Sequence, residues 1–341
     1  MRFARLARIA AVLTGTLAGA AAAAQTPPPV LDKVSFGTNW VAEAEHGGFY
    51  QAIADGTYAK YGLDVTIVPG GPNVNNRMLL GVGKLDFFLS ANSLQAFDAV
   101  ANDVPTVVVA AMFQKDPQVL LAHPGTGIQS FEDLKRLTLF VSKEGLGGYF
   151  QWLKAEFGFQ EAQVKPYSFD RQAFLADKRS AMQGYVTSEP YVIETTARIK
   201  PIVFLLADQG FNGYSTLIET RRALTDDKPG LVQRFVDASI IGWYNYLYGG
   251  PGPGNALIKK SNPEMSDELI AYSVAKMKEH GIVDSGDALS LGIGAMTDAR
   301  MIGFFDKMVR AGVVNPTVDF RRSYTLRFVN KKVGIELRPN K

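Results

Sequence analysis

The residues with useful chemistry in this chain sit where apolar runs end. They are Asn39-Trp40, Gly70-Gly71, Ser90 to Ser93, Phe113-Gln114, the turn at 142–148, and Thr187-Ser188-Glu189. The set is rich in amides, hydroxyls, aromatics and glycines, and poor in nucleophile–base pairs. It suits reversible binding of a small, flat, polar ligand better than bond-breaking. Trp40 offers a stacking face and Asn39 both donors and an acceptor; a core plug is the alternative for Trp40. Gly71, Ser90, Asn92 and Gln114 join the candidates by position alone. Glu189 can accept from ring or amino N–H groups if it points into a cleft, and is otherwise a solvated loop carboxylate. Of Tyr185, Tyr191 and Tyr214, at least one is expected to be packing. Tyr185 and Tyr214 are carried forward as aromatic candidates.

His46 opens a helix with Gly47-Gly48, either as a ligand contact or as a structural cap. Glu43, Glu45 and His46 look like an acid–base cluster, but no nucleophile or second base accompanies them. The run from Lys143 to Gly148 precedes a helix and presents backbone N–H groups, with Gly145 at its centre. It lacks the Lys-Ser/Thr ending of a phosphate loop, so a plain tight turn is its alternative. His123 and His280 are read as structural.

Composition removes other chemistries. The absence of cysteine excludes disulfides, thiol catalysis and cysteine-ligated metals, and three histidines are too few to suggest a histidine-rich metal site. No cofactor is expected. The formal net charge of +3 invites a nucleic-acid reading. However, Arg2, Arg5 and Arg8 precede an alanine-rich run that ends at Ala22-Ala23-Ala24, the pattern of a cleavable export signal over residues 1–24. Without those three arginines the basic residues equal the 33 acidic ones, so no nucleic-acid partner is expected. The mature chain is predicted to be soluble and periplasmic.

The elements that must position these residues alternate. Strands are predicted at 34–40, 63–69, 85–91 and 106–113, with helices at 45–61, 75–82 and 93–101 between them. After His123-Pro124-Gly125 a second cycle follows. It places strands at 137–142, 164–167, 182–187 and 201–207, with helices at 131–135, 147–157 and 171–178. After Tyr214–Glu219 the pattern turns helical. Val232, Val236, Ile240, Trp243 and Leu247 keep one face apolar, as do Ile270, Val274 and Met277. This alternation predicts an α/β fold of two lobes with mostly parallel sheets and a helical C-terminal tail. Residues 25–122 and 212–341 are assigned to lobe one, and 123–211 to an inserted lobe two. Ligands in such folds bind outside the carboxyl ends of strands, which gives the strand-end residues their weight.

The segments NWVAEAEHGGFYQAIADGTYAKYGLDVTIVPGG and LLGVGKLDFFLSA carry a specific resemblance. Asn39-Trp40, His46 to Tyr50, Gly62 to Val65 and Gly83 to Asp86 resemble periplasmic solute-binding proteins of ABC importers, in the nitrate/sulfonate/taurine and thiamine-pyrimidine-precursor class. The likeness extends more weakly over nearly all of the mature chain. It implies a type II periplasmic-binding fold with two crossovers and a ligand held between the lobes. Asn39, Trp40, His46 and the Glu189 region would face the cleft. It further implies a monomer that delivers its ligand to an inner-membrane permease with its ATPase.

On that resemblance the first expectation is a pyrimidine-like thiamine precursor, stacked on Trp40 and a tyrosine. Rival ligands are a sulfonate, taurine or nitrate anion, for which Arg77 and the 145–148 turn would have to converge, or a flavin. The same superfamily holds a thiamine pyrimidine synthase that consumes its own histidine. Aligned on Gly83-Lys84-Leu85-Asp86, its cofactor lysine falls on Ser90, its donor histidine on Leu94, and its cysteine-rich segment on the stretch from Phe211 to Ser215. All three features are missing here, so a binding protein is expected rather than an enzyme.

Overall fold

The computed structural model describes residues 30–71 and 74–339; the expected export signal lies outside them. Strands β1 (Asp32–Gly37), β2 (Leu63–Val68), β3 (Phe87–Asn92) and β4 (Thr106–Phe113) open the chain. Next come β5 (Gln118–Ala122), β6 (Thr138–Val141), β7 (Val164–Pro166), β8 (Ser180–Tyr185) and β9 (Ile202–Leu205). Finally β10 (Ser215–Arg221) returns to the first group. The strands form two five-stranded sheets, ordered β2-β1-β3-β10-β4 and β7-β6-β8-β5-β9.

The sheets are mostly parallel, as expected, with four of the five strands in each running the same way and one running against them. β1, β2 and β3 run parallel, whereas β10 is antiparallel to both β3 and β4. In the second sheet β6 is parallel to β7 and β8, and β5 is antiparallel to β8 and β9. The cause is the crossover. β5 and β10 are the first strands after the chain changes sheet, so each enters from the end where its neighbours finish. Gln118 accordingly pairs with Tyr185, and Ser215 with Asn92 and Phe113.

β5 is the strand that the residue pattern did not reveal. Its apolar core Val119-Leu120-Leu121 is too short to assign by periodicity. Because β5 pairs within the second sheet, the first crossover falls at residues 114–117, before Gln118 and not at 122/123. The predicted helix at 45–61 is also three pieces: a 3-10 turn Ala44–His46, then helices Gly47–Ala54 and Thr57–Lys60. Gly56 at φ 74° ends the first helix, and the Asp55 carboxylate accepts from the Thr57 amide at 2.9 Å to start the next.

The helical tail covers the first sheet. β4 lies at that sheet's edge, yet every one of its residues is buried. The tail supplies the cover, with bonds from the Thr325 amide to the Val108 carbonyl and from the Ala111 amide to the Gly294 carbonyl. The long helix Pro229–Tyr248 packs against Gly47–Ala54 so closely that a Cβ on Gly47 would meet Tyr246 at 2.1 Å. One on Gly48 would meet Trp243 at 2.3 Å. The Gly47-Gly48 pair therefore serves helix packing and not approach to a ligand.

Candidate functional site

A cavity of about 830 Å³ lies where the carboxyl ends of the two sheets face each other. Seven of the expected residues are in its wall: Asn39, Trp40, Gly71, Asn92, Gly145, Tyr185 and Glu189. They arrive there by one rule, since each lies at or just past the end of β1, β2, β3, β6 or β8. The Trp40 loop is pinned through its backbone. The Thr38 hydroxyl donates to the Trp40 carbonyl at 2.7 Å, and the Gly70 amide donates to the same oxygen at 3.0 Å. The indole sits 4.9 Å from the Phe169 ring, tilted by 46°, so an aromatic pair joins the first sheet's side of the cavity to the second's.

Four expected residues lie elsewhere. His46 is 2% exposed and sits behind Asn39, its Nε2 lying 3.3 Å from Asn39 Oδ1. Burial pushes its imidazole down to about 3, so it is a neutral support for the Asn39 amide. Ser90 is fully buried within β3, and its hydroxyl has no partner among the described residues. Gln114 and Tyr214 are held at the crossovers by the tail. Gln114 Nε2 donates to the Ala295 carbonyl at 2.9 Å, and its Oε1 accepts from Arg300 at 3.2 Å. Tyr214 donates to Asp287, and the Arg300 guanidinium lies 4.2 Å from its ring centroid. These two residues fasten the tail helix Asp298–Arg310 across both crossovers. Tyr191 packs on Tyr272, 5.2 Å away, also outside the wall.

The wall also holds residues that strand-end reasoning missed. Tyr167 and Phe169 follow the short edge strand β7, and Tyr149 and Gln183 pack against Gly145, where the expected turn is a short helix, Lys143–Gly147, capped by the Ser142 hydroxyl. Gln183 Oε1 accepts from the Ser142 amide at 2.6 Å and from the Tyr149 hydroxyl at 3.2 Å, whereas its Nε2 makes no hydrogen bond among the described residues. Gly145 has no room for a side chain. A Cβ there would meet Tyr149 at 2.7 Å and both Gln183 Oε1 and Val141 at 2.9 Å. Asn92 is mostly occupied: its Oδ1 accepts from the Leu94 amide at 3.1 Å as a helix cap, and its Nδ2 faces Asp116 at 3.4 Å.

Electrostatically the site is acidic. Burial holds the Glu43 carboxyl well above the usual range, and the neighbouring Glu45 and Glu189 charges push the same way. Burial also raises Glu189, whose Oε2 accepts from the Tyr185 amide at 2.7 Å. Behind the wall, Glu45 is 3% exposed and is pushed up to about 7 by burial, against the bond it accepts from the Thr187 hydroxyl. Asp116 rises to about 6 for the same reason. Among the described wall residues Arg77 is the one basic side chain, and it is already engaged. It donates to the Gln95 carbonyl at 2.5 Å and to the buried Glu219 at 3.3 Å. An anion entering this cavity would meet carboxyls and, among the described residues, no free cation.

Such a cavity between two mixed sheets narrows the fold, and comparison with known proteins places the chain. Residues 43–251 match the model of a family described as "NMT1/THI5 like". The chain belongs to the NMT1/THI5-like family. Among the relatives of this NMT1/THI5-like protein is the riboflavin-binding protein RibY of Chloroflexus aurantiacus, 24% identical over 324 residues, covering 93% of this chain and 91% of that one. The 4-amino-5-hydroxymethyl-2-methylpyrimidine phosphate synthase of Schizosaccharomyces pombe is 30% identical, but over 105 residues and 30% of each chain. The periplasmic aliphatic sulphonate binding protein SsuA of Escherichia coli superposes with a TM-score of 0.63 at 15% identity, covering 87% of this chain and 92% of its own. That last likeness establishes the periplasmic-binding fold.

Proposed function

We propose that this chain is a periplasmic solute-binding protein that delivers a flat, uncharged heteroaromatic compound of flavin size to an ABC permease and its ATPase. The observation that carries the reading is the wall itself. Trp40, Tyr167, Phe169 and Tyr185 supply aromatic faces, Glu43, Glu189, Asn39 and Gln183 supply polar edges, and the one basic wall residue among those described is paired with Glu219. Aromatic faces stack on a planar ring, and carboxyls and amides read N–H and C=O groups at its rim. A sulfonate or nitrate would instead face the carboxyls of Glu43 and Glu189 with no free basic side chain among the described wall residues to pair with it.

Size favours a larger ring system over the single pyrimidine first expected. About 830 Å³ lies in the upper part of the range for pockets that enclose drug-sized ligands. The full-length similarity to a protein named for riboflavin binding supports the same choice. Closure would bring the two halves together about residues 114–117 and 210–214. The bond from Thr187 to Glu45 and the Trp40–Phe169 contact already span the two sides.

The experiment is a thermal-shift comparison of riboflavin, 4-amino-5-hydroxymethyl-2-methylpyrimidine and taurine on the mature chain. A ligand present at 100 times its Kd stabilises by about 2.7 kcal/mol. Riboflavin is expected to shift the melt; a shift with taurine alone would refute the proposal.

A further inference from the structure

The cavity wall continues past the residues around Trp40. Beyond Asn92 it follows the helix Ser93–Ala101, whose residues Leu94, Phe97, Asp98 and Ala101 all belong to it. Their spacing of three, four and seven puts them on one helix face. From Leu94 to Ala101 that face is about 10 Å long at 1.5 Å per residue. Val314 and Val318, from the segment after the tail helix, also belong to the wall, as do Gln95 and Asn315, so this gallery sets polar groups beside its apolar faces.

Two polar features restrict what fits. Arg77 belongs to the wall with its Nη2 held by the Gln95 carbonyl and its charge offset by the Glu219 carboxylate, while its buried Nε has no partner among the described residues. Asn76 is 2% exposed and belongs to the same wall. Its Nδ2 donates to the carbonyls of Thr38 and Val68, at 2.9 and 3.0 Å. That fixes which atom of the amide is oxygen, and this buried Oδ1 has no partner among the described residues. A buried acceptor without a donor is costly to leave so, and a ligand hydroxyl would satisfy it.

We infer that the gallery is a second compartment of the ligand site, taking an uncharged, hydroxyl-bearing side chain that projects from the stacked ring. Its carbons lie on the Phe97–Ala101 side and a hydroxyl donates to Asn76 Oδ1. The inference rests on the ring reading above and narrows it to compounds that carry such a tail.

The test compares riboflavin, which has a polyol tail, with lumiflavin, which has the same isoalloxazine ring system and only a methyl group in place of the tail. By calorimetry, riboflavin is expected to bind the unaltered chain at least tenfold more tightly than lumiflavin. Asp98→Trp places an indole midway along the gallery from an exposed position, and Ala101→Trp does so at its far end. Either substitution is expected to lower the affinity ratio while lumiflavin binding stays within twofold, which also reports that the variant is folded. Equal affinities on the unaltered chain, or an unchanged ratio in both variants, overturns the tail compartment while leaving the ring reading intact. Failure of both compounds to bind the unaltered chain overturns the ring reading and the compartment with it.

Discussion

Replacing Trp40 by alanine isolates the stacking contribution, because the loop that carries it does not depend on the indole. The Trp40 carbonyl is held by the Thr38 hydroxyl at 2.7 Å and the Gly70 amide at 3.0 Å, and both bonds survive the substitution. The ring is only half-buried, so global stability should change little. Binding loses the aromatic face, and base-on-aromatic stacking contributes about 1–3 kcal/mol in other proteins. That corresponds to a Kd raised about 5- to 150-fold. The Phe169 contact, 4.9 Å away, adds a second loss, because Phe169 no longer has a partner across the cavity. Trp40→Phe keeps a face and should lose less than about 1.5 kcal/mol, in line with the worth of one aromatic pair. Titration calorimetry with riboflavin, alongside thermal melts of each variant, reads both quantities. A Trp40→Ala protein with an unchanged melt and a Kd within twofold of the parent would remove Trp40 from the site.

The remaining expectations concern the carboxyls and the turn. Glu45 holds its proton to about pH 7 in the folded chain, against an ordinary value of 4.5. Between those values the folded state binds more protons than the unfolded one, so stability falls as pH rises through that window and levels off above it. Glu45→Gln should flatten this decline, by on the order of 2–3 kcal/mol between pH 5 and pH 8 in urea unfolding; an undiminished decline would contradict the assignment. Gly145→Ala drives a Cβ into Tyr149 and Gln183 and should cost about 1–3 kcal/mol of stability as well as ligand affinity, measured by melting and calorimetry. A Gly145→Ala protein as stable as the parent would mean that the turn can yield. Glu219→Ala leaves Arg77 without its buried partner and should destabilise by about 3 kcal/mol in urea unfolding; a change below about 0.5 kcal/mol would show that the Gln95 carbonyl suffices.

How far the sequence could be read depended on whether the deciding contact was local. Strand ends announce themselves by where an apolar run stops, and in this fold those ends converge; Asn39, Trp40, Gly71, Gly145 and Glu189 follow from that rule. Gln114 satisfies the same rule, and Tyr214 was a candidate as an aromatic just before β10, yet both lie outside the wall. Arg300, nearly two hundred residues beyond Gln114, folds back over both, and nothing near them in the chain signals it. Glu43 was underrated because a charged residue in a polar loop gives no local sign that tertiary packing will bury it beside Glu45 and Glu189. Tyr167 and Phe169 were hidden by their context, the short edge strand β7 and a polar segment after it. The direction of β5 and β10 follows from the crossovers, which strand propensity does not encode.

The central claim is that the acidic, aromatic-walled cavity takes an uncharged heteroaromatic compound and returns it unchanged. Equilibrium dialysis of the purified chain from residue 25 onward against riboflavin, with and without excess taurine, tests this when the ligand is afterwards recovered and its mass measured. Saturable riboflavin binding, no displacement by taurine, and recovery of intact riboflavin are expected. Saturable taurine binding with no riboflavin retained, or recovery of a chemically altered flavin, would contradict it.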